Sequence, residues 1–94
     1  MKNYEIMYIC KPADDEVIQS VTEKFNAIIN NNEGQVLKTD IWGRKKLATI
    51  LSGFTEGIYV LVTFEAVPTC IKELDRLIRI DDNVIRHMII SKGY

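Results

Sequence analysis

Ile58-Tyr59-Val60-Leu61-Val62-Thr63-Phe64-Glu65-Ala66-Val67, IYVLVTFEAV in one-letter code, is the stretch that decides the fold. It is crowded with β-branched and aromatic side chains and closed by Pro68, so it reads as a strand. Ile58, Val60, Val62, Phe64 and Ala66 alternate onto one face, and Tyr59, Leu61, Thr63 and Glu65 onto the other. The first face is uniformly apolar and belongs against helices. The second is mixed and belongs on an open side.

The flanking segments fit a sheet of that kind. Downstream, Pro68 sits where a first helical turn tolerates it, and Ile71, Leu74, Leu77 and Ile78 follow at helical spacing. Asp81-Asp82-Asn83 is a turn, VIRHMII (84–90) a last strand, and Lys92 to Tyr94 a short tail. The last strand is apolar on parts of both faces, so its register stays open. Upstream, GFTEG (53–57) reads as a turn, and residues 35–52 as a long strand bent at Gly43. NNNEG (30–34) stops a helix, with Gly34 as its C-terminal cap. That helix buries Val17, Val21, Phe25 and Ile28, joined by Ile18 and Ile29, and exposes Gln19, Thr22, Glu23 and Asn26. Asp14 and Asp15 start it, as a cap and as negative charge near the dipole. NYEIMYIC (3–10) is the first strand, with Tyr4, Ile6, Tyr8 and Cys10 on one face and Asn3, Glu5, Met7 and Ile9 on the other. The order β-α-β-β-α-β is the ferredoxin-like split βαβ arrangement. It predicts an α+β fold, a single domain over 1–94, and a four-stranded antiparallel sheet with both helices on one face.

On the open face, Met7, Ile9, Tyr59 and Leu61 form an apolar patch. Scattered surface hydrophobics are ordinary. A contiguous patch on an otherwise polar face points to a covering partner.

Charge is uneven. The formal net charge is −1, which argues against a general nucleic-acid binder. Residues 1–35 hold three cations against six acids, whereas residues 36–94 hold nine against seven. Positive charge is densest in DIWGRKKLA (40–48), where Arg44, Lys45 and Lys46 follow Trp42-Gly43, the chain's only tryptophan and a glycine. A local block of this kind can hold phosphate in an acidic protein, because charges beyond roughly 8 Å are screened at physiological salt. Strand alternation puts Arg44 and Lys46 on one face and Lys45 on the other. Lys2, Arg79, Arg86 and Lys92 lie near element ends that could approach the same sheet edge. Two readings stand side by side: phosphate contact, and a strand edge guarded by lysines.

Catalytic constellations are missing from the sequence. His87 is the one histidine, placed in a strand with no partner to orient it as a base. It reads as a residue of a strand face or an interface. Cys10 and Cys70 have no metal-type spacing and read as core residues of a reducing compartment. Asp14-Asp15-Glu16 is a helix start and not a metal cluster. No phosphate-binding glycine motif is present. The RNA-recognition module shares the topology but stacks bases on two or three strand aromatics. Here the third strand offers only Tyr59 to the open face. These readings predict no enzyme, no cofactor, no metal and no small-molecule substrate. No signal peptide or membrane-length apolar run is visible, so a cytosolic protein is expected.

MKNYEIMYICKP at the start, WGRKKLA in the middle and DNVIRHMII near the end, in this order and spacing, resemble the bacterial small-subunit ribosomal protein six family. The likeness runs from Lys2 to about Lys92. It implies a ferredoxin-like fold and a structural role in the small ribosomal subunit. It further implies binding to the central domain, or platform, of the small-subunit rRNA together with small-subunit ribosomal protein eighteen. Carried over by position, Arg44, Lys45 and Lys46 would lie in the family's basic segment and Arg86 in its C-terminal strand motif, contacting RNA phosphates or the partner, and Lys2, Arg79 and Lys92 are further candidates for RNA contact. Trp42, as a platform under the basic segment, and Met7, Ile9, Tyr59, Leu61 and His87 would meet the partner. The chain departs from the family pattern at Thr49, where an aromatic is usual, and near Ser52-Gly53, where a lysine is common. The competing reading is a stand-alone ferredoxin-like regulatory or oligomerisation module.

Overall fold

In the computed structural model, which describes residues 1–92, the elements run β1 (Lys2–Cys10), α1 (Asp15–Asn31), β2 (Gly34–Leu51), β3 (Phe54–Ala66), α2 (Pro68–Arg79) and β4 (Val84–Ser91). The expected tail beyond Lys92 lies outside the described residues. The four strands form one sheet in the order β2-β3-β1-β4, with every neighbouring pair antiparallel. This is the ferredoxin-like arrangement that the element order predicted.

The alternation of β3 survives residue by residue. Ile58, Val60, Val62, Phe64 and Ala66 are buried, as are Tyr4, Ile6, Tyr8 and Cys10 of β1. They meet Ile18, Val21, Phe25 and Ile29 of α1 and Cys70, Leu74 and Ile78 of α2 in one core. Side chains of this size each contribute about 1.5–3 kcal/mol when taken out of water. Tyr8 packs edge-on against Phe25, with ring centres 5.3 Å apart. Its hydroxyl reaches Thr22 Oγ1 at 3.5 Å, and Thr22 donates in turn to the Ile18 carbonyl at 2.8 Å. Thr22 is therefore buried, against the sequence reading that put it on the polar face. A threonine can be buried there because the helix backbone satisfies its hydroxyl. Val17, assigned to the apolar face, is exposed instead. Burial pushes the Cys10 thiol up to about 12, and it raises the Cys70 thiol as well. Both are inert core residues.

Two boundaries differ from expectation. Gly34 does not cap α1. Asn32 occupies the cap, its side chain donating to the Ile28 carbonyl at 2.7 Å, and Glu33 takes the left-handed turn at φ 62°. Gly34 opens β2, where a Cβ would sit 2.7 Å from Ile29 Cγ2. Its smallness serves packing. Asp14 is the N-cap of α1 through its backbone carbonyl, which accepts from the Val17 and Ile18 amides, and its side chain makes no cap bond. Nor is GFTEG a five-residue turn. Ser52 and Gly53 alone turn the chain, at φ 50° and 84°, and Leu51 pairs with Phe54. Positive φ at both central residues is the hairpin geometry that matches strand twist. The strands thus run on as a two-stranded arm beyond the end of the β1–β3 ladder at Ile58, with an irregular register between Lys46 and Leu51.

Candidate nucleic-acid interface

The basic block lies on the arm. β2 is an edge strand, and the register opposes Arg44 to Ile58, Lys45 to Gly57 and Lys46 to Glu56. Arg44 and Lys46 therefore share one face and Lys45 takes the other, as strand alternation requires. Arg44 Nη1 lies 3.7 Å from Glu56 Oε1, with both side chains about half exposed. An exposed pair at that distance contributes about 0–1 kcal/mol, so the guanidinium remains available to another anion.

Gly43 gives the block its shape. A bulge between Ile41 and Gly43 leaves Trp42 as the extra residue, and Gly43 sits at φ 87°. Trp42 is consequently turned onto the open face. Its ring lies 9° from parallel to that of Tyr59, with centroids 6.4 Å apart. Lys45 Nζ lies 6.0 Å from the centre of the same indole. Of the three cations only Lys45 stands over the Trp42 ring, which stays 47% exposed.

The rest of the open face is set by register. Met7 pairs with Leu61 on one side and Met88 on the other, and Ile9 pairs with Tyr59 and Arg86. A shallow concavity of about 260 Å³ lies here, lined by Met7, Ile9, Leu47, Tyr59, Arg86 and Met88 among others. Ile9 is buried although it faces outward, because Gly57 leaves it room: a Cβ on Gly57 would collide with Ile9 Cγ2. Met88 and Ile90 are 58% and 45% exposed and extend the apolar strip along β4. Sequence reasoning missed them. The VIRHMII segment is apolar in both registers and carries no signal that would choose between them.

The remaining cations separate. Arg86 of β4 and Lys92 just past its end project from the open face, and Arg86 makes no ion pair among the described residues. Lys92 Nζ is 3.5 Å from Glu5 Oε2. The strand order places β4 on the edge opposite β2, so these cations do not join the Arg44–Lys46 block on one edge. Lys2 begins β1 in the register of the helix-facing residues. Arg79 ends α2, where its guanidinium donates to Asp75 Oδ2 at 2.6 Å. His87 lines the edge of the concavity, but its imidazole turns toward α2. It opposes Tyr8, and its Nε2 lies 2.6 Å from Asp75 Oδ1. The His87 hydrogen bond holds the Asp75 carboxyl below the usual range, and Arg79 adds to that effect. Among the described residues no group of three or more His, Cys, Asp or Glu side chains is placed to hold a metal ion. No helix is long and apolar enough to cross a membrane.

The family model described as ribosomal protein S6 matches residues 3–91, nearly the whole chain. The chain belongs to the ribosomal protein S6 family. Its relatives include the small ribosomal subunit protein bS6 of Desulforamulus reducens, 44% identical over 94 residues, with 99% of each chain covered. The bS6 protein of Clostridium acetobutylicum is 47% identical over 92 residues, covering 97% of each. The crystal structure of 30S ribosomal protein S6 from Thermotoga maritima superposes with a TM-score of 0.92 at 26% identity, covering 97% of this chain and 87% of that one. The C-terminal domain of the Mycobacterium tuberculosis MgtC protein, at 11% identity and a TM-score of 0.70, shares the fold alone. Membership of the S6 family makes the chain a structural component of the bacterial small ribosomal subunit, at work on the cytoplasmic ribosome, and not an enzyme.

Proposed function

We propose that the chain binds the central domain of the small-subunit rRNA together with small-subunit ribosomal protein eighteen, through phosphate contacts on the arm and an apolar contact on the open sheet face. The observation that carries this reading is the layout of the open face. Lys45, Arg86 and Lys92 surround the apolar strip of Met7, Ile9, Tyr59, Leu61 and Met88, in a chain with formal net charge −1. Cations of that kind hold a polyanion loosely by charge, and the apolar strip gives a protein partner a surface to cover. Arg44 and Lys46 add charge on the reverse face of the arm. Arg79 and Lys2 lie apart from this surface and the His87 ring turns to α2, so the reading does not depend on them. The partner contact falls on β1, β3 and β4, and the RNA contact on the arm and the ends of β4.

The test is the salt dependence of assembly. Replacing Arg44, Lys45 and Lys46 by Ala should weaken the complex with RNA and partner at low salt. It should also flatten the plot of log affinity against log salt by about 2–3, if each cation meets one phosphate. Unchanged affinity with an unchanged slope would remove the block from the RNA interface. The competing use of the apolar strip is self-association. A stable homodimer of the isolated chain in sedimentation, lost on Met88→Lys, would favour it.

A further inference from the structure

The geometry points to a second mode of RNA contact on the arm: we infer that Trp42, set beside Tyr59, is a stacking site for one unpaired RNA base, with Lys45 placed for the adjoining phosphate. This deepens the rRNA reading above and rests on it. Tyr59 alone made the open face too poor in aromatics for base stacking. The Ile41/Gly43 bulge changes that, because it brings Trp42 beside Tyr59 with the two rings 9° from parallel. Parallel aromatic side chains on an open sheet face are the surface on which single-stranded bases stack. Stacking accepts any base, since each has a π-face, and needs no pocket with polar groups.

Three further observations support it. Trp42 is 47% exposed, so a large apolar ring is left in water on an edge strand. A lysine stands 6.0 Å from the indole centre, and its long flexible stem can give up the ring for a phosphate. Gly43 holds the bulge at φ 87°, and a Cβ there would meet nothing within 4 Å, so backbone conformation and not crowding demands the glycine. Glycine adopts that conformation without strain, so the bulge that turns the indole outward is held at no steric cost. A protein partner covering the same ring is the alternative outcome.

The single tryptophan makes the site directly observable. 5-Fluorotryptophan in the full chain reports position 42 alone, even in a complex with protein eighteen and a central-domain rRNA transcript. The expected result is a fluorine resonance that moves upfield when the transcript is added, beyond any shift from the protein partner. Trp42→Leu should weaken transcript binding roughly tenfold with an unchanged salt slope, and Trp42→Phe by much less. Lys45→Ala should instead lower the slope by about one. Both tryptophan variants are checked by thermal melting, and the exposed ring leaves the fold intact. A resonance that responds to the protein partner and not to the transcript overturns the inference in favour of a protein contact. Wild-type affinity in Trp42→Leu overturns it outright. Failure of the wild-type chain to bind the transcript with its partner sinks the rRNA reading itself, and this site with it.

Discussion

Asp81 ties three elements together at a single carboxylate. Lys24 of α1 donates to its Oδ2 at 2.6 Å, and the Asn83 amide donates to its Oδ1 at 2.8 Å, closing the turn into β4. Its side chain is 3% exposed. Burial works to raise this carboxyl, but the hydrogen bonds from Lys24 and Asn83 outweigh it and hold the group below the usual range. Asp81→Ala should cost about 1–2 kcal/mol, discounted because Lys24 is largely exposed. Thermal melting then reads a loss of about 4–8 °C for each kcal/mol in a domain of this size. The pH dependence follows from the same group. Its folded pKa lies below its unfolded one, so its stabilisation is complete above the ordinary carboxylate range and is lost as pH falls through the folded value. Asp75, lowered by His87 and Arg79, acts in the same direction. Stability measured against pH should therefore fall off in acid less steeply in Asp81→Asn than in the wild type. The Asp81 turn was legible as Asp-Asp-Asn, whereas its tie to Lys24 spans 57 residues and left no local trace.

The β2–β3 arm is the element in which sequence and structure diverge most. Strand alternation over 58–67 fixed the inner half of β3, because each even residue there meets a helix. Toward the turn from Ile58 the hairpin has no further partner in β1, so the alternation loses its neighbouring strand and the segment looked like a turn. The two-residue turn at Ser52-Gly53 shows why the strands continue. β4 failed differently: VIRHMII offers apolar residues to either face, and only its pairing with Met7 and Ile9 chose between them. Placing His87 opposite Tyr8 turned its imidazole toward Asp75 of α2. Gly57 tests the arm's join to the sheet. Gly57→Val should push Ile9 from its buried position and cost about 1–3 kcal/mol by overpacking, measured by urea unfolding. Leu74→Ala in α2 removes a fully buried side chain and should cost about 2–5 kcal/mol in the same measurement. An equal small loss at both sites would mean that the arm does not pack on Ile9 as described.

At the scale of the whole molecule the chain is two-sided. The helices and their acids, Asp14, Asp15, Glu16 and Glu23 among them, cover one face of the sheet. The other carries the apolar strip with Lys45, Arg86 and Lys92 around it. The fold was readable because every apolar period agreed with the same layered arrangement. The proposed interface was readable only in part, since the cations on this face come from opposite sheet edges and the Trp42–Tyr59 pair depends on a bulge. A surface that joins moderate charge to an uncovered apolar strip should bind RNA weakly alone and firmly when a second protein covers the strip. The direct measurement is the affinity of the chain for a central-domain rRNA transcript, with and without protein eighteen, at physiological salt. Binding about tenfold or more tighter in the presence of the partner is the predicted result. Equal affinity with and without it would contradict a shared interface on the open face.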